Sequence, residues 1–200
     1  MLNLPDIQDS EPVIPVSVGK VGVTGIKMPI GFAYFDNKPT ILVPSFSVFV
    51  DLPANKKGIH ASRNYESLTE VLSQYAGKTY KLEHICSTVA KALLTRHENS
   101  KYSEVRATGE IIMEKRAPKT KMLTFEPCTI MASAYAYKKG GKPVIVKRRI
   151  GIGLKGIAAC PCAQELLKET VTRKICKNKK PTAELIKILE QIPWATHMQR

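Results

Sequence analysis

No run in this 200-residue chain approaches the length needed to cross a bilayer, which excludes a membrane-spanning helix. Residues 1–9 have neither a basic opening nor a long apolar stretch, so a secretory signal is not expected. Cysteine is scarce and lacks a framework: the five residues, Cys86, Cys128, Cys160, Cys162 and Cys176, are odd in number and irregular in spacing. That argues against a disulfide-built module and for a reducing, cytoplasmic compartment. Aromatic side chains are few, with one Trp and five Phe, and they are not interleaved with the basic residues. Nucleic-acid binding by base stacking is therefore poorly provided for. Internal repeats and low-complexity segments are also missing.

What is present is an ordinary globular balance, 44% hydrophobic and 24% charged, enough to bury a core in one large domain or two small ones. Basic residues are unevenly distributed. Residues 1–100 hold 10 Lys+Arg against 9 Asp+Glu, whereas residues 101–200 hold 21 against 8. A basic half suits a polyanionic partner, either nucleic acid or a phosphorylated small molecule. The plainer alternative is a solvated basic surface matched to an acidic partner.

Hydrophobic spacing gives the order of elements. Residues 14–24 and 41–52 read as extended chain, the second broken by Pro44, which argues for an edge or a bulge. A polar loop follows over 51–63. Two helices come next, one from an N-cap at Asn64 on Leu68, Val71, Leu72 and Tyr75, the other on Leu82, Ile85, Cys86, Val89 and Leu93. Cys86 lies on that stripe and reads as a packed core thiol, while His84 and His97 read as solvated. The period then switches to two: Val105 to Met113, Cys128 to Ala136, and Val144 to Ile152 read as strands. Helices near 162–174 and 185–192 close the chain. The expected fold is α+β, an antiparallel sheet with two helices on one face plus a helical C-terminal insert. The expected modules are residues 1–156 and 157–200.

One stretch stands out chemically. Cys160-Pro161-Cys162 sits where a strand gives way to a helix, and Pro161 fixes φ there, so the two thiols flank a sharp bend. Thiolate and imidazole suit borderline transition metals, and His197 lies in a second short motif, Thr196-His-Met-Gln-Arg200. A structural-zinc or redox protein using Cys160 and Cys162 alone is a competing reading, as is a basic nucleic-acid-binding module.

Three motifs together resemble a known family. Asp51-Leu-Pro-Ala-Asn-Lys-Lys-Gly-Ile-His60-Ala-Ser-Arg63 is similar to the Asp-Leu-Pro…Gly-x-His-Met-Ser-Arg signature of the type IB GTP cyclohydrolases. Cys160-Pro-Cys162 resembles that family's Cys-Pro-Cys, and Thr196-His197-Met-Gln-Arg200 its Thr/Ala-His-Asn-Gln-Arg. The long insert between Cys162 and His197 resembles the archaeal, methanopterin-pathway branch. The resemblance implies a tunnelling fold and opening of the guanine ring of GTP at C8. Formate and diphosphate would leave, giving 7,8-dihydroneopterin 2′,3′-cyclic phosphate. It further implies Fe(II), with Zn(II) or Mn(II) as alternatives, and a homo-oligomer with sites at subunit interfaces.

Carried over residue by residue, Cys160 and His197 are metal ligands and Cys162 is a neighbour that steadies the site. His60 relays protons, and Arg63, Arg149 and Arg200 bind the substrate. Ala61 and Met198 depart from the family pattern, the second removing an amide beside His197. Further ligands and the carboxylate that grips the guanine belong to a second module, so the chain is expected to stop short of it.

Overall fold

A computed structural model describes residues 6–33, 39–75, 79–117, 119–158, 160–176, 180, 182–191 and 197–199. Among them the chain divides into two compact units, Met1–Gly153 and Leu154–Arg200.

The first unit is built on one antiparallel sheet. Strand β1 (Val18–Lys27) leads into a small hairpin of β2 (Ile30–Ala33) and β3 (Pro39–Leu42), and β4 (Ser45–Leu52) then runs back along β1. Pro44, without an N–H, separates β3 from β4, where the sequence argued for an edge or a bulge. Helices α1 (Ala61–Gln74) and α2 (Leu82–Arg96) follow, then β5 (Tyr102–Arg116), β6 (Leu123–Lys139) and β7 (Lys142–Gly153). The order across the sheet is β1-β4-β5-β6-β7, every pair antiparallel. Between β6 and β7, Gly140 and Gly141 both have positive φ, 57° and 75°. A two-residue turn of that hand matches the strand twist and needs residues without Cβ.

Period-two burial dictates which face the helices cover. Phe46, Val48 and Val50 of β4, Val105 and Ala107 of β5, and Ala132, Ala134 and Ala136 of β6 all point to one side and are buried. Leu82, Ile85, Cys86, Val89 and Leu93 of α2 meet them. The alanine row on β6 leaves room for α2 to lie close against the sheet, and α1 packs on α2. Each buried Leu, Ile, Val or Phe side chain contributes roughly 1.5–3 kcal/mol here.

Two sequence expectations change. Helix α1 begins four residues earlier than expected, with His60 at the cap position, so Asn64 is an interior helix residue and fully buried. His97 is buried rather than solvated, because it extends the α2 stripe one further turn from Leu93. Exposed His84, by contrast, stacks on Tyr80.

The second unit holds β8 (Gly156–Ala158), α3 (Pro161–Cys176), α4 (Ala183–Glu190) and β9 (His197–Gln199). Strands β8 and β9 pair antiparallel. Thr182 caps α4 by accepting from the Leu185 N–H at 3.3 Å. No described helix is long and apolar enough to cross a membrane.

Candidate functional site

The loop motif of the first unit is anchored at both ends. At its start, Asp51 Oδ1 accepts the backbone N–H groups of Lys101 and Tyr102, each at 2.7 Å, and the Asp51 carbonyl accepts from Ser100 Oγ at 2.7 Å. At its end His60 opens α1, its Nε2 lying 3.1 Å from Asp6 Oδ2. Arg63 Nη1 donates to the Arg96 carbonyl at 3.3 Å, which ties the start of α1 to the end of α2. His60 and Arg63 thus line one small recess, together with Pro53, His97 and Ser100.

His97 is the residue sequence reasoning missed there. Its Nε2 lies 2.7 Å from Asn64 Oδ1, and both side chains are buried. Burial, reinforced by the nearby positive charges of Arg63, His60 and Lys138, pushes its pKa down to about 4, so the ring is neutral at pH 7. Lys138 Nζ donates to the carbonyls of His97 and Glu98 at 2.9 and 2.6 Å, fixing the turn that follows α2. The available signal was arithmetic: Val89, Leu93 and His97 are spaced by four.

Arg149 belongs to a different part of the same unit, the sheet face away from the helices. Its guanidinium lies 5.3 Å from the Tyr135 ring centroid, and Nη1 is 3.4 Å from the Tyr135 hydroxyl. Next to Tyr135 in the register is Glu104, whose side chain is only 4% exposed and is ion-paired with Lys20 and Arg106. Burial pushes the Glu104 carboxyl upward. Hydrogen bonds from Lys20, Arg106 and Tyr135 outweigh that and hold it below its ordinary value.

In the second unit Cys160 immediately precedes α3, and its carbonyl accepts from the Gln164 N–H at 3.0 Å. Pro161 takes the first helical position, where a missing N–H costs nothing. The Cys-Pro-Cys does lie at a strand-to-helix turn, with Cys160 half-buried and Cys162 exposed in the first turn. The register of β8 and β9 pairs Ala158 with His197. Paired antiparallel Cα atoms are roughly 5 Å apart and two residues reach at most about 7 Å, so the backbones of His197 and Cys160 lie within about 12 Å. The strand that leads into the Cys-Pro-Cys turn is thereby paired with the strand that carries His197, across a long helical segment. Arg200 lies outside the described residues.

Thiolate and imidazole are donor types that suit a borderline divalent cation, but a catalytic site usually takes three protein ligands. Among the described residues no group of three His, Cys, Asp or Glu side chains converges on one point.

Comparison with known proteins adds to this geometry. The family model described as type I GTP cyclohydrolase folE2 matches residues 4–200. The chain is 38% identical over 197 residues to the GTP cyclohydrolase MptA of Methanococcoides burtonii, covering 98% of this chain and 62% of the relative. It is 39% identical over 196 residues to that of Methanococcus aeolicus, covering 98% and 63% respectively. The chain therefore spans a little over three-fifths of the length of these relatives. Among solved structures, a hyperthermostable mutant of Bacillus sp. TB-90 urate oxidase superposes with a TM-score of 0.50 at 13% identity, over 71% of this chain and 57% of that one. The same enzyme determined without chloride gives 0.50 and 13%, over 71% and 56%. At that identity the likeness concerns the fold alone, an α+β arrangement around an antiparallel sheet.

Proposed function

The chain belongs to the type I GTP cyclohydrolase family, and on that premise we propose that it acts in opening the guanine ring of GTP at C8 for pterin biosynthesis. Formate and diphosphate leave in this reading, and the product is 7,8-dihydroneopterin 2′,3′-cyclic phosphate. The observation that supports it is a family match from residue 4 to residue 200, together with the β8–β9 register that pairs Ala158, two residues before Cys160, with His197.

In this reading Cys160 and His197 hold a divalent cation, Fe(II) first, with Zn(II) or Mn(II) as alternatives. The cation supplies Lewis acidity for the addition of water at C8. Cys162, one residue from Cys160 along the turn, steadies the segment. His60 carries protons during ring opening, and its seat beside Asp6 holds the imidazole at the head of α1. Arg63, Arg149 and Arg200 neutralise the triphosphate, Arg63 from a guanidinium fixed against the end of α2. The tunnelling fold, assembly as a homo-oligomer with sites at subunit borders, and residence in the cytoplasm belong to the same proposal.

The test is anaerobic loading with Fe(II), incubation with GTP, and assay of both formate and the fluorescence of oxidised pterin. Both products are expected, and both are expected to vanish in Cys160→Ser. A full-length protein that binds iron yet yields neither product overturns the reading.

A further inference from the structure

Residues 6–10 belong to no helix or strand, yet they are tied down on the first unit. The Gln8 carbonyl accepts from the Gly58 N–H at 3.1 Å, and the Ser10 carbonyl from the Lys57 N–H at 3.0 Å. Lys56 Nζ reaches the Asp9 carbonyl at 3.1 Å and Asp9 Oδ1 at 2.8 Å. Asn99 Nδ2 donates to the same Asp9 oxygen at 3.0 Å. An exposed segment without regular structure stays mobile unless something holds it. Here the ties fall chiefly on Lys56, Lys57 and Gly58, consecutive residues of the motif loop just ahead of His60. Asp9 and Asn99 also border the recess lined by His60 and Arg63.

Asp6 has a more specific place in this arrangement. Its two oxygens face two different donors. Oδ1 accepts from the Asp9 N–H at 3.2 Å, closing a turn within the segment, and Oδ2 lies 3.1 Å from His60 Nε2. Two donors need two acceptors, which a carboxylate offers and an amide does not. A carboxylate against Nε2 requires a proton on that nitrogen, so the lone pair of the neutral imidazole sits on Nδ1. Stability alone does not account for the pair. The His60 and Asp6 side chains are 25% and 49% exposed, and ion pairs so placed contribute little to folding. What the pair does fix is the turn of the ring and the identity of its free nitrogen.

We propose that residues 6–10 are a strap over the motif loop, with Asp6 the positioning residue that turns His60 so that Nδ1 takes up and gives back the proton. The proton enters and leaves at Nδ1, while Nε2 keeps its own hydrogen on the Asp6 carboxylate throughout. The strap stands on its contacts alone. The part given to Nδ1 rests on the cyclohydrolase reading, in which His60 carries protons.

Three measurements on the full-length protein test this, two of them independent of activity. Nitrogen NMR of the His60 ring at alkaline pH is expected to show hydrogen on Nε2 and none on Nδ1; the reverse overturns the assignment. Hydrogen exchange at the Lys57 and Gly58 amides is expected to quicken at least about tenfold when residues 1–10 are deleted. Should that chain fail to fold, Asp9→Ala, which cuts the carboxylate ties to Lys56 and Asn99, is expected to act in the same direction. Unchanged protection overturns the strap. In the Fe(II)-loaded protein Asp6→Ala is expected to lower kcat for formate release at least about tenfold, with KM for GTP within about threefold of the parent's. Its thermal midpoint is expected to match the parent's. An unchanged kcat, or a loss confined to KM or to the midpoint, overturns the positioning role. A parent that releases no formate refutes the cyclohydrolase reading instead, and the first two measurements still decide the ring and the strap.

Discussion

His97 Nε2 and Asn64 Oδ1 meet 2.7 Å apart inside the first unit, joining the last turn of α2 to the first turn of α1. The separation requires a proton on Nε2 and leaves Asn64 Nδ2 with no acceptor among the described residues. The loop motif carrying His60 and Arg63 sits directly over this pair, so its geometry depends on the pair staying neutral and joined.

That dependence sets a pH window. Because the folded His97 has a pKa of about 4 against an ordinary 6.5, the unfolded chain takes up the proton first as pH falls. The stabilisation is complete above about pH 6.5 and is lost progressively down to about pH 4. Between pH 7 and pH 4.5 the loss is on the order of 2 kcal/mol. Thermal midpoints of the parent should fall over that range, and His97→Gln, though less stable at pH 7, should show a flatter profile. An identical slope in the variant would exclude His97 as the source.

Gly22 offers a steric test of the β1–β4 register. A Cβ placed there would lie 1.9 Å from the Val48 carbonyl oxygen, a backbone atom with little room to move. Gly22→Ala should therefore cost about 2–3 kcal/mol, read as a lower urea midpoint. Gly19 faces open space, and an alanine there should be nearly neutral.

Thiol chemistry separates the cysteines. Burial, with a smaller push from the Glu83 carboxylate, raises the Cys86 thiol to about 12. At pH 8 only about one molecule in ten thousand carries that thiolate. Cys162 is exposed and should react within minutes with a disulfide reagent, whereas Cys86 should react only after unfolding. Peptide mapping of the labelled native protein checks this.

Metal content gives a third contrast. Cys160→Ser should lower Fe(II) or Zn(II) affinity by at least about tenfold, whereas Cys162→Ser should lower it less. Equal losses in both variants would favour a site made of the two thiols alone.

Much of this architecture can be read from side-chain spacing. The alternation of Val105, Ala107 and Ile111 with Arg106, Thr108 and Glu110 marks β5, and the Leu82–Leu93 stripe marks α2, because burial imposes those periods. Ends were harder. Nothing in the sequence forbids Asn64 as a cap; in the fold its side chain instead meets His97, a partner 33 residues away, and the helix starts at Ala61. The strands β8 and β9, three residues each, are too short to show a period and exist through their mutual pairing. Glu104 occupies the strand face away from the helices, and its burial comes from Lys20 and Arg106 closing over it, which no local pattern encodes.

The pairing of Ala158 with His197 frees the helical stretch between them from any fixed length. Closing a flexible connection costs only about 0.6 kcal/mol more for each doubling of its length. Turns of helix can thus be added to or trimmed from α3 and α4 without displacing the His197 backbone from its place opposite Ala158. Chains with very different spacers between the two motifs can keep the same β8–β9 register, a freedom that rests on three rungs of backbone.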